Sequence, residues 1–195
     1  MHRETVALAD LLQTGRAPVI SDAYGRVFTY LRISVTDLCN LRCVYCMPEE
    51  GIAWLPREEI LSYEEIVHVV EAAAACGANK IRLTGGEPLV RKDIARLVRM
   101  ISTVPGIKDI ALTTNGTLLA ENVDELALSG LSRVNISLDT LDPAKFKRIA
   151  RRGELQTVLD GIAAAEDAGL QPLKFNMVVL RGLNDDEIEA FAALT

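Results

Sequence analysis

Leu31-Arg32-Ile33-Ser34-Val35-Thr36-Asp37-Leu38-Cys39-Asn40-Leu41-Arg42-Cys43-Val44-Tyr45-Cys46 is two signals run together. Its first six residues alternate apolar and polar, the period of a strand. Its last eight carry three cysteines spaced C-x3-C-x2-C. Thiolates are soft ligands and suit zinc, copper(I) or iron–sulfur clusters. A closed structural zinc site takes four protein ligands, usually in paired CxxC or Cys/His groups. This loop offers three cysteines and no histidine. Three thiolates on a four-iron cluster leave one iron without a protein ligand, open to a small molecule. The spacing matches no ferredoxin run, each of which brings a fourth cysteine. A chance cluster or an incomplete zinc site is the plainer alternative.

Working outward from this stretch, residues 1–27 form a lead-in with room for one short helix, ending in a turn around Asp22 to Gly25. Gly51 to Arg57 reads as an extended connector in which Trp54 is a packing anchor. Ser62-Tyr63-Glu64-Glu65 is a capping box, and Gly77 suits the C′ position of the helix it opens. Cys76, at the end of that helix, reads as a small hydrophobe. Strands are predicted over Lys80–Thr84, Asp109–Thr114, Arg133–Asp139 and Leu173–Val179. Helices alternate with them: one marked by Ile94, Leu97, Val98 and Ile101, then Leu118–Ser129, a short one from Pro143, Glu154–Ala168, and a last one opening at Asn184. Alternating strands and helices mean βα units and a parallel α/β sheet. Five units are too few to close an eight-stranded barrel. The expectation is a partial, incomplete TIM-type βα barrel over residues 28–195.

Strands of parallel sheets are buried on both faces and tend to be apolar throughout. These strands are not. Leu31/Ile33/Val35, Ile81/Leu83, Ile110/Leu112, Val134/Ile136/Leu138 and Leu173/Phe175/Met177 can face helices. The opposite faces carry Arg32/Ser34/Thr36, Arg82/Thr84, Thr113/Asn115, Asn135/Ser137/Asp139 and Lys174/Asn176. Buried unpaired, such groups would cost a few kcal/mol each, so a polar inner face is a bed for a polar ligand. Arg32, Arg82 and Lys174 add three cations to it, which suit phosphate oxygens.

The chain has 195 residues and a net charge of −6. It is long enough for one sizeable core, and its charge argues against a general nucleic-acid surface. No apolar run is long enough to span a bilayer. Asp10 interrupts the only apolar stretch near the N-terminus, Val6 to Leu12, which argues against a secretion signal. With three of its four cysteines crowded together, the chain is expected to keep reduced thiols in the cytoplasm. Only His2 and His68 are available, so histidine acid–base chemistry is not expected.

The cysteine loop, with Tyr45 before its last cysteine and Thr84-Gly85-Gly86-Glu87-Pro88 downstream, resembles the radical S-adenosylmethionine (SAM) superfamily. Four stretches in order resemble, more finely, its GTP 3′,8-cyclase family of molybdenum cofactor biosynthesis. They are Arg32–Asn40, Ile81–Leu89, Leu112-Thr113-Thr114-Asn115-Gly116 and Asn135-Ile136-Ser137-Leu138-Asp139.

The resemblance implies that Cys39, Cys43 and Cys46 hold a [4Fe-4S] cluster whose open iron chelates SAM. It places SAM against Tyr45, Gly86 and Ser137, and GTP against Arg32, Arg82, Thr113 and Lys174. It implies reductive SAM cleavage to a 5′-deoxyadenosyl radical, removal of the 3′ hydrogen of GTP and closure onto C8, with no catalytic protein residue. The difficult chemistry belongs to the cofactor. It further implies a reductant protein such as a flavodoxin or ferredoxin, hand-over to the next enzyme of the pathway, and leaves room for a homodimer. The full-length family carries a second [4Fe-4S] cluster on three C-terminal cysteines, yet no cysteine follows Cys76 here. The chain is therefore expected to lack that region and to cyclise little GTP by itself. Two other readings stand beside this one: a radical SAM enzyme acting on a peptide or another small molecule, and a non-catalytic metal-binding domain.

Overall fold

A computed structural model of the chain describes residues 19–194. The short helix expected in the lead-in lies outside the described residues. Five strands form one sheet in sequence order: β1 (Tyr30–Ser34), β2 (Lys80–Thr84), β3 (Asp109–Thr114), β4 (Arg133–Ser137) and β5 (Lys174–Asn176). Every neighbouring pair is parallel. The helices are α1 (Tyr63–Ala75), α2 (Ile94–Ser102), α3 (Leu119–Leu128), α4 (Pro143–Ala150), α5 (Leu155–Asp167) and α6 (Ile188–Ala192). The sheet is open, with β1 and β5 as its edges, as the partial-barrel expectation requires.

The local signals act where the sequence places them. Ser62 accepts from the Glu65 backbone at 3.2 Å, and the Glu65 carboxylate accepts from the Ser62 backbone at 2.7 Å. This reciprocal bonding satisfies two orphan donors at the start of α1. Gly77 ends the helix at φ +92°.

The helix-covered face of the sheet is the core. Ile81, Leu83, Leu112, Val134 and Ile136 are almost fully buried beneath Leu97, Ile101, Leu119, Leu126 and Val158. Each such aliphatic side chain contributes about 1.5–3 kcal/mol. Close packing of α3 against α5 depends on Gly161: a Cβ there would sit 2.6 Å from the Gly116 carbonyl oxygen.

Two strands are shorter than expected. β5 ends at Asn176 rather than Val179, because side chains capture the backbone of Val178. Its N–H donates to Asp139 Oδ1 at 2.9 Å, and its carbonyl accepts from Asn184 Nδ2 at 3.0 Å. β4 ends at Ser137, although the Leu138 N–H still donates to the Asn176 carbonyl at 3.0 Å. The last helical segment opens as a 3-10 turn, Asp185–Glu187, before α6. Among the described residues no helix is long and apolar enough to cross a membrane.

Candidate functional site

Register decides what shares the polar face. Arg32 lies opposite Arg82, Arg82 opposite Ala111, and Ala111 opposite Arg133. Thr113 lies opposite Asn135, and Asn135 opposite Lys174. Ser34 pairs with Thr84, and Ser137 with Asn176. All four residues expected to meet GTP therefore stand on one face, in two adjoining rows. Tyr30, Lys80, Asp109 and Arg133 stand on it as well. Arg133 forms an ion pair with Asp109, so that cation is already neutralised. The face is most enclosed at its centre: Asn135 and Thr84 are buried, while Arg32, Lys174 and Ser137 at the flanks are exposed.

The cysteine loop leaves the C-terminal end of β1 and is tied down on several sides. The Gly86 N–H donates to the Thr36 carbonyl at 2.8 Å, and the Glu87 N–H to the Leu38 carbonyl at 2.7 Å. This approach requires glycine, since a Cβ on Gly86 would lie 2.2 Å from the Leu38 oxygen. On a second side, Asn115 Nδ2 donates to Asn40 Oδ1 and Asn40 Nδ2 to Thr117 Oγ1, both at 2.8 Å. On a third, the Arg42 and Val44 N–H groups donate to the Ala150 and Ile149 carbonyls at the end of α4. Arg42 then folds its guanidinium onto the loop, donating to the Cys39 and Leu41 carbonyls at 2.8 and 2.7 Å, with Trp54 5.3 Å away. Trp54 is thus the packing anchor that the sequence suggests.

Glu87 joins two of these ties. It is 1% exposed, and its carboxylate accepts from Thr114 Oγ1 at 2.7 Å, the Asn115 N–H at 2.7 Å and the Leu89 N–H at 3.0 Å. Burial raises its pKa, against the pull of those three donors. The turn after β2, the end of β3 and the cysteine loop thereby form one unit.

Cys39 and Cys43 are partly buried, Cys46 is exposed, and all are free thiols. Burial raises the Cys39 thiol and pushes Cys43 up to about 11; the neighbouring thiols add to both shifts. Among the described residues no His, Cys, Asp and Glu converge on a single-ion geometry. Three free thiols on one short loop suit an iron–sulfur cluster, whose ligands are cysteine thiolates. Bound metal would hold them deprotonated. Cys76 caps the far end of α1 and takes no part in the loop. Tyr45 is 43% exposed; its hydroxyl donates to Asp139 Oδ2 at 2.6 Å, and burial followed by that bond raises its pKa.

A family model described as the radical SAM superfamily matches residues 33–195. The chain belongs to the radical SAM superfamily. Among curated relatives it is 58% identical over 176 residues to a GTP 3′,8-cyclase of Pelotomaculum thermopropionicum, covering 90% of this chain and 54% of that protein. It is 54% identical over 177 residues to the GTP 3′,8-cyclase of Listeria monocytogenes, covering 91% and 53%. The chain thus spans about half the length of the curated relatives it matches. Two solved structures share the fold. Methylornithine synthase aligns with a TM-score of 0.67 at 17% identity, over 87% of this chain and 50% of its own. SuiB of Streptococcus suis, solved with S-adenosylmethionine, aligns with 0.66 at 18% identity, over 95% and 39%.

Sequence reasoning assigned the three cysteines and the polar face, and missed what holds them. Asn40, Glu87 and Thr117 lie in or beside the quoted stretches, but their bonds join residues distant in sequence. Arg133, Lys80 and Tyr30 follow from the same strand alternation extended two residues back.

Proposed function

We propose that this chain is the radical SAM core, residues 28–195, of a GTP 3′,8-cyclase acting at the first step of molybdenum cofactor biosynthesis. The observation that carries it is the register by which Arg32, Arg82, Thr113 and Lys174 share one face of the sheet whose first strand leads into the cysteine loop. Identity to named GTP 3′,8-cyclases supports the substrate.

In this reading Cys39, Cys43 and Cys46 hold a [4Fe-4S] cluster, and Tyr45, Gly86 and Ser137 contact SAM. When bound, cluster and SAM supply a 5′-deoxyadenosyl radical by one-electron reduction of the sulfonium. The chain's own residues position the reactants. Arg32, Arg82 and Lys174 take the triphosphate by charge-assisted bonds, and Thr113 adds a neutral one. The overall change would join ribose C3′ to guanine C8: the C3′ hydrogen leaves on 5′-deoxyadenosine, and the C8–N7 double bond becomes single as N7 gains a proton and a second electron. Orientation of this kind governs rate over orders of magnitude, which is what a tied cysteine loop and cations gathered on one face of the sheet would provide. Both electrons come from a reductant such as a flavodoxin or ferredoxin, and the product passes to the next enzyme of the pathway.

The test is calorimetry of GTP and SAM on the anaerobically reconstituted protein. Arg32→Ala and Lys174→Ala are expected to weaken GTP about tenfold to a hundredfold, the value of a charge-assisted bond, and to spare SAM. Equal losses for both ligands, or no GTP binding by the unaltered protein, contradict the proposal.

A further inference from the structure

We propose that Asn135 and Tyr30 hold the Arg82 guanidinium as a preformed phosphate fork, so that two residues outside the ligand contacts set the affinity of the phosphate subsite. The inference rests on the polar face being the GTP face.

The three arginines in one register row, Arg32, Arg82 and Arg133, are held in three different ways. Arg133 is paired with Asp109 and its charge is cancelled. Among the described residues Arg32 reaches only Thr84 Oγ1, at 3.5 Å, the long limit of a hydrogen bond. Arg82 alone is gripped by neutral groups. With its amide oxygen turned toward the guanidinium, Asn135 accepts from Nη1 and Nη2, each at 3.0 Å. The Tyr30 ring also lies 5.2 Å from the guanidinium carbon.

The fold makes this reach available. Arg82 pairs with Ala111, and Ala111 with Arg133, two residues before Asn135 on β4. Alanine is the small residue between β2 and β4 on this face, so the Arg82 side chain can pass over β3 to the Asn135 amide. Asn135 is 2% exposed, and a buried amide oxygen has to find donors.

The chemical consequence is specific. A carboxylate partner would fix the guanidinium but neutralise it. An amide oxygen and a ring face fix it and leave its charge for an anion. Arginine has five N–H donors; Asn135 takes two of them, which leaves the rest for phosphate oxygens. A side chain already ordered loses less rotamer freedom on binding. Asn135 and Tyr30 are therefore positioning residues that act through Arg82.

The experiment is calorimetric titration of GTP, and separately of inorganic tripolyphosphate, into the protein and its variants, with unfolding midpoints read alongside. Arg82→Ala is expected to weaken both ligands tenfold or more. Asn135→Ala should weaken both by about tenfold, and Tyr30→Leu by a few-fold. Tyr30→Phe, which keeps the ring face, should restore the affinity lost in Tyr30→Leu. The decisive comparison is in the Arg82→Ala background, where Asn135→Ala and Tyr30→Leu should cost nothing further. Losses that simply add in that background overturn the inference, since they would show general damage to the face. Loss in Arg82→Ala with none in Asn135→Ala or Tyr30→Leu overturns it while leaving the GTP reading intact. An unaltered protein that binds neither ligand refutes the GTP reading, and the inference with it. Tyr30 is 41% exposed on an edge strand, so its two variants keep the test open if Asn135→Ala fails to fold.

Discussion

Replacing Glu87 by Gln tests whether the cysteine loop is held by its neighbours. The carboxylate accepts two bonds on Oε1, from Thr114 Oγ1 at 2.7 Å and the Leu89 N–H at 3.0 Å, and one on Oε2, from the Asn115 N–H at 2.7 Å. A glutamine oxygen can keep the first two. Its NH2 then faces the Asn115 N–H, donor against donor, in a site that is 1% exposed to water. The loss is one charge-assisted bond and an unsatisfied buried donor, each about 1–3 kcal/mol. Removing a buried charge offsets part of this, because burial opposes ionisation of Glu87. The net expectation is about 2 kcal/mol of destabilisation, a large share of the roughly 5–15 kcal/mol that holds a domain together. Urea unfolding of the apo protein measures it. The pH dependence has a defined sign. The folded-state pKa is raised above the ordinary 4.5, so the stabilisation from the bound proton is complete below 4.5 and fades as pH rises through the folded value. The gap between the unaltered protein and Glu87→Gln should therefore widen as pH falls from neutrality toward 4.5. Hydrogen exchange should show faster opening at Asn40 and its neighbours, because Asn115 anchors Asn40. A variant as stable as the original, with the loop equally protected, would refute this reasoning.

Three further outcomes are expected. Gly161→Ala gains about 1 kcal/mol of helix propensity but places a Cβ 2.6 Å from the Gly116 oxygen; the overpacking, about 1–3 kcal/mol, should win and lower the thermal midpoint. Glu187 accepts from Thr140 Oγ1 and the Leu141 N–H, both at 2.7 Å, and from Lys145 Nζ at 2.9 Å; burial opposes ionisation, but these donors win and lower its pKa. Its contribution is thus present above 4.5 and lost as pH falls through the folded value, so Glu187→Gln should flatten the acid limb of stability against pH. In anaerobic reconstitution, Cys39→Ala, Cys43→Ala and Cys46→Ala should each fail to retain a cluster, whereas Cys76→Ala should hold full iron by colorimetric assay; iron loss in Cys76→Ala would contradict the three-thiol site.

The fold was legible because its signals are local and periodic. β2 and β3 occupy the ranges that alternation and apolar runs predict, and the capping box marks the start of α1. The cysteine loop and the polar face were legible for the same reason: spacing and period are properties of neighbouring residues. The end of β5 was not. Met177-Val178-Val179 continues the apolar pattern, but Asp139 and Asn184 take the backbone that the ladder would need. Nor were the ties that hold the loop. The bond between Asn40 and Asn115 joins residues 75 apart, and that between Glu87 and Thr114 residues 27 apart. No periodicity reports which distant polar groups will meet. Tertiary packing decides it, and each buried polar group then needs its partner.

The central claim is that three thiols on a tied loop carry radical SAM chemistry beside a phosphate-binding face. Its most direct test is an anaerobic reaction of the reconstituted, reduced protein with SAM, in which 5′-deoxyadenosine is quantified by chromatography after cluster content has been verified. The expected result is 5′-deoxyadenosine from the unaltered protein and from Cys76→Ala, and none from Cys39→Ala. Protein with an intact cluster that releases no 5′-deoxyadenosine, or a Cys39→Ala variant that releases as much as the original, would contradict the claim.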